Sequence, residues 1–453
     1  MPDFTQMTLT QLVSADGFDC ACGRHHVCSI DFLKIGPDAL DALEEMLHTL
    51  QSTKPFIVCD ENTYKAAGSR VCDILDRSKT AYTLYMIPSR GGRIAPAEWE
   101  VGSVIMHYDP TCDLVLGVGS GVVNDICKVV GHAVGKKNAI VGTAPSMDGY
   151  ASDSSSMEVN QVKVSIYDQA PSGILLDTEI MRMAPIRMLW AGLGDMVAKY
   201  IAICEWRISH IVSGEYYCED IARLMREAVR RVVSAADGLS RREEESVRAV
   251  AEGLVLGGIC MAYAKISRPA SGLEHYFSHM WEMMALERGL PYDLHGIQVG
   301  VGTVLTLGLY QDIVKIKPDR QRALSWWQDM TREKWLRQIR RIFGKTADEI
   351  IRLEDREHKN DQAEHEARLD RIIDHWDEIL SIISEELPQA DRLCEILRGT
   401  GMPMTPGEIG ISAEDTVNAF IGARDVRKKY MTCTLLWDLG LTDEFARRLA
   451  GTL

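Results

Sequence analysis

Short apolar runs alternate with helix-like stretches in the first part of the chain. Runs bounded by Gly, Pro or Asp predict buried strands at Phe56–Cys59, Thr83–Ile87, Leu114–Leu116 and Ala139–Val141. Alternation over Met157–Tyr167 predicts a hairpin, and Gly173–Asp177 predicts one more strand. Because strands that alternate with helices form parallel sheets, we expect an α/β domain here.

The periodicity becomes helical after Asp177. Apolar residues recur at helical spacing over 221–233 and again over 369–383, and no convincing strand pattern follows. We therefore predict an α/β domain over 1–178 and an all-α domain over 179–453. The highly charged stretch Arg352–Glu366 predicts a solvated helix face or an exposed connection.

Composition and charge narrow the class of protein. The 453 residues are 46% hydrophobic, enough for a sizeable core, and their net charge is −15. Nucleic acids and anionic membrane surfaces favour basic partners, so we expect neither. The N-terminal residues lack a signal-peptide pattern, and the longest apolar runs are shorter than a bilayer requires. The scattered cysteines are typical of reduced thiols, so a cytoplasmic protein is expected.

A glycine-rich turn is the first sign of chemistry. Gly119-Ser120-Gly121 follows the strand at Leu114–Leu116 and opens a predicted helix. Glycines allow the backbone to approach a phosphate, and a helix N-terminus offers free N–H groups to an anion. The spacing lacks the later glycine of the common dinucleotide fingerprint, so a simple tight turn is the alternative.

The next strand is followed by hydroxyl and carboxylate side chains. They are Thr143, Ser146, Asp148 and Ser152. Ligands of open α/β sheets collect at the carboxyl ends of strands, which favours a binding role. Ser and Asp are also common in turns, so an ordinary polar turn is the alternative.

One carboxylate and three imidazoles form a candidate metal site in the helical part. Asp195 lies in an apolar helical context, His275 and His279 share one helix face, and His295 follows. A carboxylate with two or three imidazoles suits zinc or a similar divalent ion, which could polarise a substrate oxygen. Unrelated histidines on core or surface helices are the alternative, because the set does not form one short motif.

Cysteines and histidines also cluster near the N-terminus. Cys20, Cys22, His25, His26 and Cys28 lie within nine residues, a composition that could bind structural zinc. No second ligand pair follows at the spacing of a zinc ribbon. An ordinary strand or turn with reduced thiols is therefore the favoured interpretation.

Several stretches together resemble a known family. They are GVGSGVVNDICK, TAPSMDGYAS, AGLGDMVAKY, LEHYFSHMWE, DLHGIQVGVGT and PMTPGEIGIS. The chain resembles the bacterial, AraM-like glycerol-1-phosphate dehydrogenases. Their superfamily includes glycerol dehydrogenases, iron-type alcohol dehydrogenases and dehydroquinate synthases, and the resemblance spans nearly the whole chain.

The resemblance implies a dehydroquinate synthase-like fold, with an N-terminal dinucleotide-binding α/β domain and an all-α C-terminal domain. It implies metal-dependent reduction of dihydroxyacetone phosphate to sn-glycerol 1-phosphate with NAD(P)H. The residues that it assigns are Gly119, Ser120 and Gly121 at the cofactor pyrophosphate, Thr143, Ser146 and Ser152 at the nicotinamide half, Asp125, Asp148 and His279 at the substrate, and Asp195, His275 and His295 at the metal. A homodimer with a role in phospholipid metabolism is the associated expectation.

Two positions depart from the relatives. Ser120 stands where many relatives have a glycine, and Lys199 stands where iron-type relatives have a fourth, histidine ligand. The lysine disfavours iron and leaves a three-ligand site, so zinc or nickel is expected. Lys199 is also a candidate donor to the substrate phosphate, with a solvent-facing helix lysine as its alternative.

Three other functions remain open at this stage. A glycerol dehydrogenase or another polyol dehydrogenase of the same superfamily differs only by lacking a phosphate pocket. A dehydroquinate synthase-like lyase would recycle its NAD within each turnover. A non-catalytic metal- or nucleotide-binding protein is the alternative from a different class.

Cofactor choice is predicted from the end of the first predicted strand. The resemblance places Asp60 near the adenine ribose, where a carboxylate can accept hydrogen bonds from the hydroxyls and repel a 2′-phosphate. Arg90 and Arg93 follow the second strand and could instead pair with a 2′-phosphate, although solvated loop arginines are favoured. NADH is therefore predicted to be preferred over NADPH.

Overall fold

The computed structural model describes residues 3–90, 94–159, 162–167 and 169–453. The chain forms two compact units. The first unit comprises residues 1–196 and 218–270, and the second comprises 197–217 and 271–453. The strands are β1 Phe18–Asp19, β2 His25–His26, β3 Phe32–Gly36, β4 Pro55–Cys59, β5 Thr83–Met86, β6 Leu114–Gly119, β7 Lys137–Gly142, β8 Ser154–Val159, β9 Val162–Tyr167 and β10 Gly173–Asp177.

Helices fill the remainder of both units. In the first unit they are α1 Leu9–Leu12, α2 Leu43–Thr49, α3 Glu61–Thr63, α4 Ser69–Ser78, α5 Glu98–Met106, α6 Gly121–Val134, α7 Thr178–Met181, α10 Glu219–Ser234 and α11 Glu244–Ala264, with α8 Ile186–Val197 ending at its boundary. In the second unit they are α9 Lys199–Ser213, α12 Leu273–Arg288, α13 His295–Ile313, α14 Arg320–Asp329, α15 Arg332–Phe343, α16 Ala347–Glu357, α17 Gln362–Asp374, α18 Trp376–Glu386, α19 Ala390–Thr400, α20 Ala413–Val426, α21 Thr432–Asp438 and α22 Thr442–Thr452.

A six-stranded parallel sheet organises the first unit. Its strand order is β3-β10-β7-β6-β4-β5, and every neighbouring pair is parallel. Alternate residues of β4 enter two different cores, with Ile57 packing towards α2 and α4 and Val58 towards α5 and α6. Helices therefore cover both faces of the sheet, which explains why its central strands are apolar throughout.

The predicted α/β and all-α organisation is confirmed. The strand at Gly173–Asp177 has the predicted bounds, the strand predicted at Phe56–Cys59 begins one residue earlier at Pro55, and a hairpin forms from β8 and β9. Among the residues that the structure describes, no strand follows Asp177. The sequence prediction missed β3, an edge strand that pairs with β10 alone among the described residues. Most of the side chains of β3 are partly exposed, and Lys34 interrupts the apolar pattern.

The compact units do not follow the change in secondary structure. The last strand ends at Asp177, next to the predicted domain boundary at 178, but the first unit also contains α7, α10 and α11. The boundary as a division of function stays a prediction. α11 is long and apolar enough to cross a membrane, yet 78% of its apolar window is buried inside the protein, as in a core helix.

Candidate active site

The predicted cofactor residues meet at one edge of the sheet. β6 and β7 run in register from Leu114 opposite Lys137 to Gly119 opposite Gly142, and the Thr143 N–H donates to the Gly119 carbonyl at 2.9 Å. From β4 the chain moves outward to β5, whereas from β6 it moves the opposite way to β7. The carboxyl ends of β4 and β6 therefore flank a topological switch point, where α/β sheets bind their ligands.

Gly119 and Gly121 occupy crowded positions, where a larger residue would press against its neighbours. A Cβ on Gly119 would lie 2.6 Å from Val123 Cβ in the first turn of α6, and one on Gly121 would lie 3.1 Å from Met147 Cγ. Neither glycine has a positive φ. The turn therefore needs glycine for close strand–helix packing, which also exposes the backbone at the N-terminus of α6 to an anion.

Ser120 takes part in a buried hydrogen-bond network. Its Oγ lies 2.6 Å from Ser146 Oγ and 3.0 Å from Tyr150 Oη, and Tyr150 donates to the Ala144 carbonyl at 2.6 Å. Burial raises the pKa of Tyr150, so its hydroxyl keeps its proton. Ser120 and Ser146 thus fix the loop after β7, and their contact with a cofactor stays a prediction.

Lys128 holds Asp125 and the same loop from inside the core. Its side chain is fully buried, and its Nζ lies 3.2 Å from Asp125 Oδ1, 3.3 Å from the Gly149 carbonyl and 3.4 Å from the Ser152 carbonyl. The Ser156 N–H donates to the other oxygen of Asp125 at 3.2 Å. Because both carboxylate oxygens have partners, Asp125 is well placed to orient the loop, and its predicted catalytic role stays untested by the fold.

Asp148 and Asp195 are fixed to one another in the first unit. Asp195 is 1% exposed on α8, and its Oδ2 accepts the backbone N–H of Asp148 at 3.0 Å. α8 approaches the loop so closely that a Cβ on Gly192 would lie 2.0 Å from the Pro145 carbonyl oxygen. Gly257 of α11 leaves room for Asp148 on the other side, where an added Cβ would lie 3.2 Å from Asp148 Cβ.

The second unit brings the three predicted histidines together. His275 and His279 lie on α12, and His295 begins α13. The ring centroids of His275 and His295 are 5.4 Å apart, and those of His279 and His295 are also 5.4 Å apart. The sequence separation of His295 from the pair is thus bridged by the packing of α12 on α13.

The Nδ1 atoms of His275 and His295 have hydrogen-bond partners within the protein. His275 Nδ1 lies 2.9 Å from Glu274 Oε1, which also accepts the Gly272 N–H at 2.6 Å. His295 Nδ1 lies 2.9 Å from Ser278 Oγ and 3.3 Å from Glu282 Oε1. An acceptor on Nδ1 leaves the Nε2 lone pair available, which is the usual arrangement of a metal-binding histidine.

His279 differs from its two neighbours. Its Nδ1 is buried and has no hydrogen-bond partner among the described residues. Burial, helped by the nearby ring of His295, lowers the pKa of His279 well below its usual value, so the ring is neutral at neutral pH. An unsatisfied buried nitrogen is costly, and a bound ligand would satisfy it.

A second donor set overlaps the first. His279, Glu282 and His295 each offer an atom within 4.8 Å of the others, so they also could hold a metal ion. In that arrangement Glu282 would be a ligand rather than the acceptor that orients His295. The two sets can be separated by replacing His275 and His279 one at a time.

Lys199 is fully buried at the start of α9. The alternative of a solvent-facing lysine is therefore wrong. A buried ammonium needs compensating polar groups, and this supports a functional or structural interaction over a surface position.

Asp60 follows β4, as predicted, and caps α3. Its Oδ1 accepts the N–H groups of Asn62 at 2.7 Å and Thr63 at 3.0 Å, so one carboxylate oxygen is committed to the helix. Arg90 is exposed and lies over the Trp99 ring at 4.4 Å. Arg93, its predicted companion, lies outside the described residues.

Sequence reasoning missed the residues that hold the candidate ligands in place. They are Lys128, Tyr150, Glu274, Ser278 and Glu282. All are polar positions on otherwise apolar helix or loop faces, and each is at most 1% exposed. A charged residue inside an apolar helical pattern was the available signal, although only the fold shows which group it contacts.

Comparisons with known proteins agree with this architecture. The iron-containing alcohol dehydrogenase family profile matches residues 34–185. A glycerol-1-phosphate dehydrogenase (NAD(P)+) of Halalkalibacterium halodurans is 31% identical over 301 residues, which are 66% of this chain and 75% of that protein. One from Geobacillus stearothermophilus is 27% identical over 409 residues, 90% of this chain and 92% of that protein.

The solved structures extend the likeness in fold. The crystal structure of glycerol dehydrogenase from Schizosaccharomyces pombe superimposes with a TM-score of 0.60, covering 96% of this chain and 94% of that chain. At 17% identity, this match concerns the fold alone.

Proposed function

This chain belongs to the family of the glycerol-1-phosphate dehydrogenases (NAD(P)+), and on that premise we propose that it reduces dihydroxyacetone phosphate to sn-glycerol 1-phosphate with NAD(P)H. The observation that carries the proposal is the 31% identity to a relative of that name over 75% of its length. The enzyme is an oxidoreductase acting on a carbonyl and the corresponding CH–OH group.

Asp195, His275 and His295 are the proposed ligands of one divalent metal. Two features of the individual residues support this set: the Nδ1 atoms of both histidines are engaged, and Asp195 has one oxygen held by a backbone N–H. Imidazole and carboxylate donors suit zinc or nickel. When bound, such an ion supplies Lewis-acid polarisation of a carbonyl oxygen, and a reduced nicotinamide supplies the hydride.

His279 is the proposed proton donor to the new hydroxyl, ahead of Asp125. A neutral imidazole can relay a proton, taking one up on one nitrogen as it gives the other away, and Nδ1 is the buried atom that lacks a partner among the described residues. Asp125 is less suited, because Lys128 and the Ser156 N–H engage its two oxygens. Lys199 is the proposed donor to the substrate phosphate, and Asp148 lies at the substrate.

The turn between β6 and α6 is the proposed pyrophosphate site. Free N–H groups at the start of α6 bind the anion, while Ser120, Ser146 and Tyr150 fix the neighbouring loop. Thr143 and Ser152 complete the nicotinamide side. Asp60 faces the adenine ribose through the oxygen not used in capping α3, which favours NADH over NADPH.

The remaining proposals concern the cellular location, the oligomeric state and the metabolic role of the protein. The protein acts in the cytoplasm as a homodimer, and its product feeds phospholipid metabolism. A glycerol dehydrogenase or another polyol dehydrogenase of the same superfamily is the alternative activity, and it would not require a phosphate on its substrate.

A substrate comparison tests the proposed function. NADH oxidation by the purified enzyme is measured with dihydroxyacetone phosphate and with dihydroxyacetone, followed by chiral analysis of the product. A site built around a charged phosphate leaves its donors unpaired with the neutral analogue, so kcat/KM should fall by roughly 10³-fold or more. Equal efficiency on the two substrates, or sn-glycerol 3-phosphate as product, refutes the proposal.

A further inference from the structure

Four potential metal ligands meet around the N-terminal hairpin of the first unit. They are Cys20, Cys22 and His26 from the hairpin β1–β2 and Cys218 from the start of α10, with all ligand atoms within 4.8 Å of one another. The family match begins at residue 34, so this hairpin lies outside it. We infer that these residues form a structural zinc site of the Cys₃His type.

The distances between the ligand atoms fit tetrahedral zinc. Cys20 Sγ lies 3.6 Å from Cys218 Sγ, and His26 Nε2 lies 3.4 Å from Cys22 Sγ and 3.7 Å from Cys218 Sγ. Zinc–sulfur bonds of about 2.3 Å and zinc–nitrogen bonds of about 2.0 Å give a sulfur–sulfur edge of roughly 3.8 Å and a sulfur–nitrogen edge of roughly 3.5 Å in a tetrahedron. These three distances lie within a few tenths of an ångström of the tetrahedral edges, and the other three pairs of ligand atoms lie within 4.8 Å.

His26 is oriented as a ligand by a second contact. Its Nδ1 lies 2.9 Å from the carbonyl oxygen of Tyr263, to which it can donate, and its ring stacks on that of Tyr263 with centroids 5.5 Å apart. Donation from Nδ1 places the lone pair on Nε2, the atom that faces the three sulfurs. Because His26 is fully buried, its orientation is fixed before a metal arrives.

Backbone N–H groups support two of the thiolates. The N–H of Cys22 donates to Cys20 Sγ, and that of Ile221 donates to Cys218 Sγ. Cys218 is also the N-cap of α10, where the positive end of the helix dipole stabilises an anion. Burial raises the pKa of both thiols, and these contacts offset part of that cost when three thiol protons leave as the ion binds.

Asp220 is a nearby group that opposes the site. Its Oδ2 lies 3.3 Å from Cys20 Sγ and accepts a hydrogen bond from the Cys20 thiol. When a metal is bound, Cys20 would be a thiolate, and the two negative charges would repel one another. Arg223 Nη1 lies 3.5 Å from the other oxygen of Asp220 and offsets this charge. Three thiolates, a neutral histidine and a divalent ion leave a net charge of about −1, so the site and Asp220 together carry about −2, of which Arg223 offsets one.

The fourth ligand explains why the sequence alone disfavoured zinc. Cys218 is separated from His26 by 192 positions, so no ligand pair follows at ribbon spacing. Of the other residues in the N-terminal cluster, His25 is exposed beside Asp19 and Cys28 is not in the ligand group of the described residues. Four protein ligands leave no open position, so the ion would fasten the hairpin to α10 rather than bind substrate.

Cobalt substitution of the full-length enzyme tests the inference apart from the proposed catalytic metal. The proposed catalytic ligands contain no sulfur, so a thiolate-to-cobalt charge-transfer band reports the hairpin site only. We expect this band in the wild-type protein and in His275→Ala, and its loss or strong reduction in Cys218→Ser. Absence of the band in cobalt-loaded wild-type protein overturns the site, whatever the enzyme's activity.

Zinc content and X-ray absorption provide the second measurement. Cys218→Ser and His26→Ala should each lose one zinc per chain, while the controls Cys28→Ser and His25→Ala keep it. If the site variants do not fold, the zinc absorption spectrum of the wild-type protein should still show sulfur neighbours at about 2.3 Å. Only nitrogen and oxygen neighbours, or a Cys20–Cys218 disulfide in the freshly isolated protein, would contradict the inference.

Discussion

His275 and His279 lie one turn apart on α12, yet their nitrogens have different surroundings. His275 Nδ1 contacts the Glu274 carboxylate, whereas His279 Nδ1 is buried with no partner among the described residues. The first arrangement is typical of a metal ligand, and in the second a bound ligand would satisfy the nitrogen. We therefore predict different roles for the two residues.

Replacing each histidine separates metal binding from proton transfer. His275→Ala should lose the catalytic metal and nearly all activity, since a ligand is removed from the first coordination sphere. His279→Ala should keep the metal and lower kcat by about 10²–10⁴-fold, the usual contribution of a general acid. Metal content per chain, kcat and far-ultraviolet circular dichroism are measured on both variants, with the exposed His375→Ala as control.

Metal retained in His275→Ala but lost in His279→Ala would reverse the assignment. It would favour the overlapping set of His279, Glu282 and His295 as the true ligands.

Asp60 links cofactor choice to a helix cap. Serine is also a good N-cap, so Asp60→Ser should keep α3 while removing the charge that we propose repels a 2′-phosphate. The ratio of kcat/KM for NADH over NADPH should fall about tenfold, equivalent to ~1.4 kcal/mol of repulsion. Glu61→Gln is the control, because Glu61 is exposed and pairs with Lys65 at 2.7 Å.

An unchanged ratio in Asp60→Ser would show that Asp60 does not discriminate between the cofactors. A wild-type preference for NADPH would have the same meaning and would favour the arginines after β5.

At the scale of elements, the turn between β6 and α6 depends on how closely the helix approaches the strand. Gly119→Ala places a methyl group 2.6 Å from Val123 Cβ, so the helix must shift. We expect a loss of about 1–3 kcal/mol in the free energy of unfolding, as for overpacking, and weaker NADH binding. Denaturant unfolding and cofactor titration measure both effects.

Gly102→Ala is the matched control for this turn. Gly102 lies in α5, and a Cβ there would meet nothing within 4 Å. Alanine should be neutral or slightly stabilising at this helical position. Equal stability of the two variants would show that the packing of α6 on β6 tolerates a side chain.

At the scale of the whole molecule, a chain of net charge −15 also buries some of its acidic groups, and their burial makes stability depend on pH. Glu354 of α16 lies in the stretch predicted as solvated, but it is 6% exposed, and burial raises its pKa above the ordinary value of 4.5. Its Oε1 accepts the Asn360 N–H at 2.8 Å. The folded chain therefore holds this proton at pH values where the unfolded chain has released it.

Glu354→Gln should become more stable relative to the wild type as the pH rises. From pH 4.5 up to the raised pKa, the unfolded wild-type chain binds fewer protons than the folded one, so its free energy of unfolding falls with pH. Glutamine keeps the acceptor and does not titrate, so the variant should gain up to ~1 kcal/mol between pH 4 and pH 7. Denaturant unfolding at both pH values measures the difference.

The exposed Glu349→Gln on the same helix is the control and should show no such trend. A stability difference between Glu354→Gln and wild type that stays constant with pH would contradict the role given to burial.

The sequence by itself determined the fold class, the family and most of the elements. Central strands such as Phe56–Cys59 are apolar throughout because both faces of the sheet are covered, and local periodicity records this. The family and the proposed reaction followed from motifs at strand and helix ends. Each of these motifs is a continuous stretch of sequence, so it can be recognised without knowing which distant residues it contacts. The edge strand β3 was not predicted, because a partly exposed strand has a weaker apolar pattern.

Only the tertiary structure decided which groups act on one another. Local sequence does not show that Glu274 contacts His275 Nδ1 or that Ser278 contacts His295 Nδ1. Nor does it show that Lys199 is buried. Above all, Cys218 joins Cys20, Cys22 and His26 across 192 positions. The sequence specifies the chemistry of each side chain. A site, however, needs several side chains within a few ångströms of one another, and the packing of distant elements sets those distances.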